Sequence, residues 1–210
     1  IYYTSYDSGS GALDGLSCLS AVVNSSYDEM TPGWGEYAFA TIQDGIDAVV
    51  EGGTVQVVAG EYSVDAAVNV NKSVTVQGAG MGQTIVQTAA TTGDPVNVFK
   101  VVAADVTLRD MTVRQRKSSN SSVEAAISVS GSYPWNNDLA GFLLEACRVE
   151  SMEFGLTVRG RDWTLTANQF AYVGPDGNNH RLIGVYGNAG DSAVSNNTFE
   201  CSDEVSARSV

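Results

Sequence analysis

Proline is scarce in this chain, four in 210 residues, and histidine occurs once. Basic residues are also few: Lys and Arg number 11 against 24 Asp and Glu, for a formal net charge of −13. A surface of that sign repels the phosphates of nucleic acid and the headgroups of an anionic membrane, so neither is expected as a partner. It also disfavours a site for polyanions unless a local basic patch or a bound metal reverses the field. Solubility in a secreted or saline setting accounts for the charge without any ligand. No apolar run approaches the ~18 residues of a membrane span, and no membrane insertion is expected. No signal peptide opens the sequence and residue 1 is Ile, which reads as a processed mature form or an excerpt of a longer chain. The three cysteines, at 18, 147 and 201, have neither CxxC nor metal-site spacing.

What is present points to strands. Glycine is abundant at 22, hydrophobic content is 43%, and Ser, Thr, Asn and Val are plentiful. That mix suits short strands and sharp turns and not a helical bundle. The stretch Val106–Gln115 sets the pattern. Its apolar residues alternate at 106 and 108, slip by one residue at Arg109-Asp110, and resume at 111 and 113. Two short strands joined by a tight bend and facing one core give that phase. The template recurs at Phe142/Leu144/Cys147/Val149, Trp163/Leu165/Asn168/Phe170 and Ser192/Val194/Asn197/Phe199, and its first half at Val74/Val76/Ala79. The starting residues 74, 106, 142, 163 and 192 lie 21 to 36 residues apart. An irregular period of that length, made of strands, predicts a chain that winds once per period.

Along the chain, residues 1–38 are expected to form an irregular segment of loop and short strand packing on the coil, and residues 39–210 the coil itself. Thr41 offers a helix N-cap, with Ile42, Ile46, Val49 and Val50 on one face and Gly52-Gly53 as the stop. Such a helix covers the open end of the first coil. Further strands are expected at 54–58, 68–70, 74–77, 96–102, 125–129, 154–158 and 182–186. Loops of unequal length, 117–123, 132–138 and 174–181, separate them and are where specificity belongs. The tail Glu200–Val210 is polar and weakly patterned, so the last coil is covered by that tail, by another subunit or by more chain.

Three segments carry a resemblance: Ala40-Thr41-Ile42-Gln43-Asp44-Gly45-Ile46-Asp47-Ala48, then Gly53-Thr54-Val55-Gln56-Val57-Val58-Ala59-Gly60-Glu61-Tyr62, then Lys72-Ser73-Val74-Thr75-Val76-Gln77-Gly78-Ala79-Gly80. They resemble the opening of right-handed parallel β-helix proteins of the pectin lyase-like superfamily, with Gly45 where Ala is usual. The resemblance implies an all-β solenoid of about five to six coils with a short N-terminal capping helix. It covers lyases, hydrolases, esterases, tailspikes, adhesins and plain surface proteins, so it leaves function open. The Q-D-T-L bend and D-F-I-F-G strand of the methylesterases are absent. So are the N-T-D, D-D, G-H-G and R-I-K motifs of the polygalacturonases. No acidic cluster faces the arginines as a pectate lyase would need.

The remaining chemistry is dispersed. His180, beside Arg181 and near Asp176, is the one candidate general base. Tyr133, Trp135, Tyr172 and Tyr186 are candidate sugar platforms. Asn168 and Asn197 share the inward slot at the bend and are expected to form a structural amide ladder. Asp105, Asp162 and Asp191 share the slot before the first template strand. They read as turn formers, with Asp162 and Asp191 adjacent enough to share a Ca²⁺ ion. No other cofactor is expected. Arg109 should stack on Glu145 and Arg114 on Glu150, as exposed pairs. Sequons begin at Asn24, Asn71, Asn120 and Asn196. Cys147 reads as a buried apolar residue, and Cys18 as the thiol most free to pair.

The expected function is a non-catalytic extracellular structural or adhesion protein on a cell or virion surface. Self-assembly, neighbouring surface proteins and glycans are its expected partners. The alternative is a polysaccharide lyase or hydrolase, or a glycan-binding module.

Overall fold

Alternation along the chain decides which segments pair. The computed structural model describes residues 18–200 except 29, 32, 34, 90–96, 117–124, 131–138, 153, 175–180 and 187–188. Two strands, β1 (Cys18–Val23) and β2 (Ala38–Phe39), precede the helix α1 (Ile42–Ala48). Circuits follow in which the chain visits three sheets, A, B and C, in turn. The first is β3 (Val49–Val57), β4 (Gly60–Val64) and β5 (Val68–Val70). The second is β6 (Val74–Gln77), β7 (Thr84–Thr88) and β8 (Phe99–Val101), and the third β9 (Thr107–Arg109), β10 (Thr112–Arg114) and β11 (Ala125–Val129). The fourth is β12 (Leu143–Glu145), β13 (Arg148–Ser151) and β14 (Phe154–Arg159), and the fifth β15 (Thr164–Thr166), β16 (Gln169–Tyr172) and β17 (Arg181–Tyr186). A sixth opens with β18 (Ala193–Ser195) and β19 (Thr198–Glu200). Each strand pairs in parallel with its counterpart one circuit away, so the protein is all-β with parallel sheets.

Register puts like residues on like. Val55, Val76, Leu108, Leu144, Leu165 and Val194 occupy one slot of sheet A. Val86, Val113, Val149, Phe170 and Phe199 occupy one slot of sheet B. Val70, Val101, Val129, Val158 and Val185 do the same in sheet C. These columns converge in one core. They are buried until the last strands, where Val185, Val194 and Phe199 are 44%, 55% and 51% exposed. Burial of each interior Leu or Val side chain stabilises by about 1.5–3 kcal/mol.

The opposite end is covered. Strands β1 and β2 extend sheet A beyond β3, so residues 18–23 supply a short strand at this end of the stack, of the kind expected beside loop in the N-terminal segment. Helix α1 buries Ile42, Gly45 and Ile46. Its cap is Thr41, whose hydroxyl accepts the Asp44 amide proton at 3.1 Å and donates to the Asp44 carboxylate at 2.6 Å. The helix ends at Ala48, earlier than Gly52-Gly53 suggested, because Val49 and Val50 are β-branched and enter β3. Gln43 closes the edge of sheet C: its amide accepts from Asn69 N–H at 2.8 Å and donates to Asn69 C=O at 3.2 Å. One side chain thus does what a neighbouring strand would do.

From the third circuit on, the corner between sheets A and B is tight, two residues long. Its first residue is left-handed in four circuits: Asp110 (φ 58), Ala146 (φ 50), Ala167 (φ 57) and Asn196 (φ 55). Its second turns inward as Met111, Cys147, Asn168 and Asn197.

Candidate functional site

The sheet C strands carry Lys100, Arg159 and Arg181 and not one acidic residue. That is notable in a chain of net charge −13. Alternation against the buried Val101/Val129/Val158 column turns one row outward: Asn69, Lys100, Ser128, Thr157 and Gly184, in register across five strands. Two positions on, Arg159 pairs with Tyr186, and the Arg159 guanidinium lies 4.8 Å from the Tyr186 ring centroid. A cation over an aromatic face is attracted by the ring quadrupole and holds the ring in place. Gly184 gives that ring room, since a Cβ there would come within 3.1 Å of it. The outward face of sheet C therefore carries two basic residues, exposed Lys100 and half-buried Arg159, over a floor in which Thr157 and Gly184 are buried, and is edged by the Tyr186 ring.

The long connections adjoin the strands of this sheet in the chain. Residues 90–96, 117–124 and 175–180 lead into β8, β11 and β17, and 131–138 leads out of β11. Tyr133, Trp135, Asp176, His180 and Asn120 fall on these connections and lie outside the described residues. Arg181, by contrast, opens β17 and is exposed.

Tyr172 does not join Tyr186. It is 6% exposed, facing in at the end of β16, and its ring offers no open face to a sugar. The reason is phase: Phe170 points inward, Ala171 outward and residue 172 inward again.

The outward face of sheet B is charged but internally paired. Arg114 bonds the Glu150 carboxylate and reaches Gln87 at 3.4 Å. Arg148 binds Glu150 at 2.7 Å, Gln169 at 3.0 Å and Glu200 at 3.1 Å, the last reached across the small Ala171. Gln87 continues to Glu61 at 3.4 Å. The Arg114–Glu150 pair occurs at the expected register but is less exposed than the sequence suggested, Glu150 being 9% exposed. Burial pushes the Glu150 carboxyl up, but its bonds to Arg114 and Arg148 outweigh burial and hold it below the usual carboxylate range. On sheet A, Arg109 meets Glu145 at 3.3 Å and Asp110 at 2.9 Å.

The other sequence candidates are structural in geometry. Asn168 Oδ1 accepts from Cys147 N–H at 2.9 Å and its Nδ2 donates to Leu144 C=O at 2.9 Å. Asn197 repeats this one circuit on, with Asn168 N–H at 2.8 Å and Leu165 C=O at 2.9 Å. Each amide therefore bonds the backbone of the preceding circuit, not the neighbouring amide. Asp162 accepts the Asp191 amide proton at 3.1 Å and pairs with Arg161 at 3.3 Å, so its carboxylate already serves a turn and a guanidinium. Among the described residues no three His, Cys, Asp or Glu side chains converge. Cys18 and Cys147 are free thiols, and burial pushes the Cys147 thiol up to about 12.

No protein-family model matches the chain, and no curated protein matches it significantly. Among solved structures, it is similar to a crystal structure of a pectin methylesterase mutant in complex with a hexasaccharide. Identity is 13%, the match covers 88% of this chain and 66% of that one, and the TM-score is 0.49. A likeness that distant carries no argument about function.

Proposed function

We propose that this chain is an extracellular, non-catalytic adhesion module that binds an acidic glycan along sheet C, built on a right-handed parallel β-helix of the pectin lyase-like type. The observation that carries the reading is the outward face of sheet C, whose charged residues, Lys100 and Arg159, are both basic, with Tyr186 held by Arg159, on an otherwise acidic chain. A pyranose stacks its C–H face on Tyr186, while Lys100 and Arg159 meet carboxylates along the polymer. Rigid strands position these groups, which suits binding without reorganisation.

The test is binding to polygalacturonate, alginate and a neutral glucan by calorimetry, with product analysis for cleavage. The two acidic polymers bind and the glucan does not. Tyr186→Ala and Arg159→Ala each weaken binding about ten-fold, near 1.4 kcal/mol. Equal binding of the neutral glucan sinks the electrostatic reading, and released oligosaccharides favour the lyase or hydrolase alternative.

A second reading, self-assembly or docking of neighbouring surface proteins, draws on the exposed Val185, Val194 and Phe199. Light scattering with small-angle scattering, with and without Ca²⁺ and reductant, separates the two. Association independent of glycan supports assembly, and a monomer under every condition removes it.

A further inference from the structure

We propose that Asn24 is an N-glycosylation site, the acceptor for an oligosaccharide at the covered end of the stack. Three sequons begin within the described residues, at Asn24, Asn71 and Asn196, and the structure treats them differently. Asn24 follows β1 and is tied to the fold through its backbone, its N–H donating to Phe39 C=O at 3.0 Å. Its side-chain Oδ1 accepts two hydrogen bonds from the residue that defines the sequon: Ser26 N–H at 3.0 Å and Ser26 Oγ–H at 2.8 Å. Both donors pull electron density toward Oδ1 and fix the carboxamide, while Nδ2 has no partner among the described residues. Ser25 and Ser26 are exposed, and Asn24 is half-exposed.

At the other two, Asn71 and Asn196, the asparagine is exposed but has no such contact with its own sequon hydroxyl. In the Asn71 sequon the Ser73 hydroxyl donates to Asp105 C=O at 3.0 Å, not to its asparagine. The intervening Lys72 is held by Asp47 C=O at 2.9 Å and Val49 C=O at 2.8 Å. Asn196 is the left-handed residue of a tight corner, and its Thr198 is already paired with Gln169 in β19. A transferase that must draw acceptor amide and hydroxyl together finds that arrangement preformed only at Asn24 among these three.

In the transfer, Asn24 Nδ2 bonds to the anomeric carbon of an oligosaccharide carried on a polyprenyl diphosphate. The carbon–oxygen bond to the diphosphate breaks, the lipid diphosphate leaves with its electron pair, and the amide proton passes to a base of the transferase. The inference rests on the extracellular placement proposed above. It does not rest on glycan binding by sheet C, which is read in a separate assay and fails or holds independently.

The experiment is secretion of the full chain from a eukaryotic host, with site mapping by mass spectrometry before and after peptide-N-glycosidase. The expected result is a glycan on Asn24, lost in Asn24→Gln and Ser26→Ala and retained in Ser26→Thr. Secreted wild-type protein bare at position 24, or glycan on Asn71 or Asn196 with Asn24 bare, overturns it. Mapping on the wild-type chain decides the matter even where a variant fails to fold.

Discussion

Glu150 shows how one side chain on a β surface becomes more than a surface charge. It is nearly buried between two guanidiniums, and their bonds hold its pKa below the usual carboxylate value. A carboxyl whose folded pKa lies below its unfolded one adds stability that is complete above the unfolded pKa and is lost as pH falls through the folded value. The wild-type chain therefore loses stability on acidification in that window, and Glu150→Gln does so less steeply. Urea unfolding at stepped pH checks this. Parallel acid limbs for the two proteins would remove Glu150 from the explanation. Similar logic makes Cys147 inert: a thiol pushed up to about 12 by burial holds almost no thiolate at neutral pH.

At the scale of elements, the A–B corner is the most constrained part of the chain. From the third circuit on each corner has one left-handed residue, and from the fourth its inward residue, Cys147, Asn168 or Asn197, bonds the backbone of the circuit before it. Asn168 is 1% exposed and bonds a buried N–H and C=O at once. Asn168→Ala strands both and should cost about 2–4 kcal/mol, measured by urea unfolding, because each orphaned buried group costs about 1–3 kcal/mol. Asn197→Ala, at the exposed end of the ladder, should cost less than half as much. Equal costs would mean the ladder is not what holds the corner.

These elements were unequally legible in the sequence. The alternation of Val74/Val76, Val106/Leu108 and Phe142/Leu144 gave away sheet A, because period-two burial leaves a direct trace. Strand β7 left none: Thr84, Gln87 and Thr88 are polar yet buried, so its pattern is blurred. The helix end was misplaced because Val49 and Val50 fit a helical face and a strand equally well. The sheet C face was hidden for a different reason. Its row reads Asn, Lys, Ser, Thr, Gly, which no periodicity marks, and the Arg159–Tyr186 contact depends on register between two circuits. Tyr172 looked equivalent to Tyr186 until phase placed it inside.

Considered whole, the molecule is a stack with unlike ends. One is closed by β1, β2 and α1, with Gln43 pairing the edge of β5. At the other, the core columns run out into Val185, Val194 and Phe199, with Phe199 stacked on Phe170 at 5.4 Å. Stability in such an array is a sum over neighbours, so the same slot should matter differently along the axis. Leu165→Ala should cost about 3 kcal/mol and Val194→Ala under about 1 kcal/mol, read by thermal or urea unfolding. A Val194→Ala cost matching that of Leu165→Ala would show that the last circuit is covered in solution.

The tight corner also bears on how such a chain accepts change. Repeats of 21, 29, 32 and 36 residues all keep one register through sheets A and B. Most of the difference in length falls in the connections that flank sheet C, although the corner of the second circuit, between β6 and β7, holds six residues, 78–83, where the later corners hold two. One residue inserted at Asp110, Ala146 or Ala167 would turn every following side chain of its circuit inside out. Several inserted between β10 and β11 would leave the pairing untouched. From the third circuit on, the corner works like the spine of a book, fixed while the rest of each page is free to be rewritten.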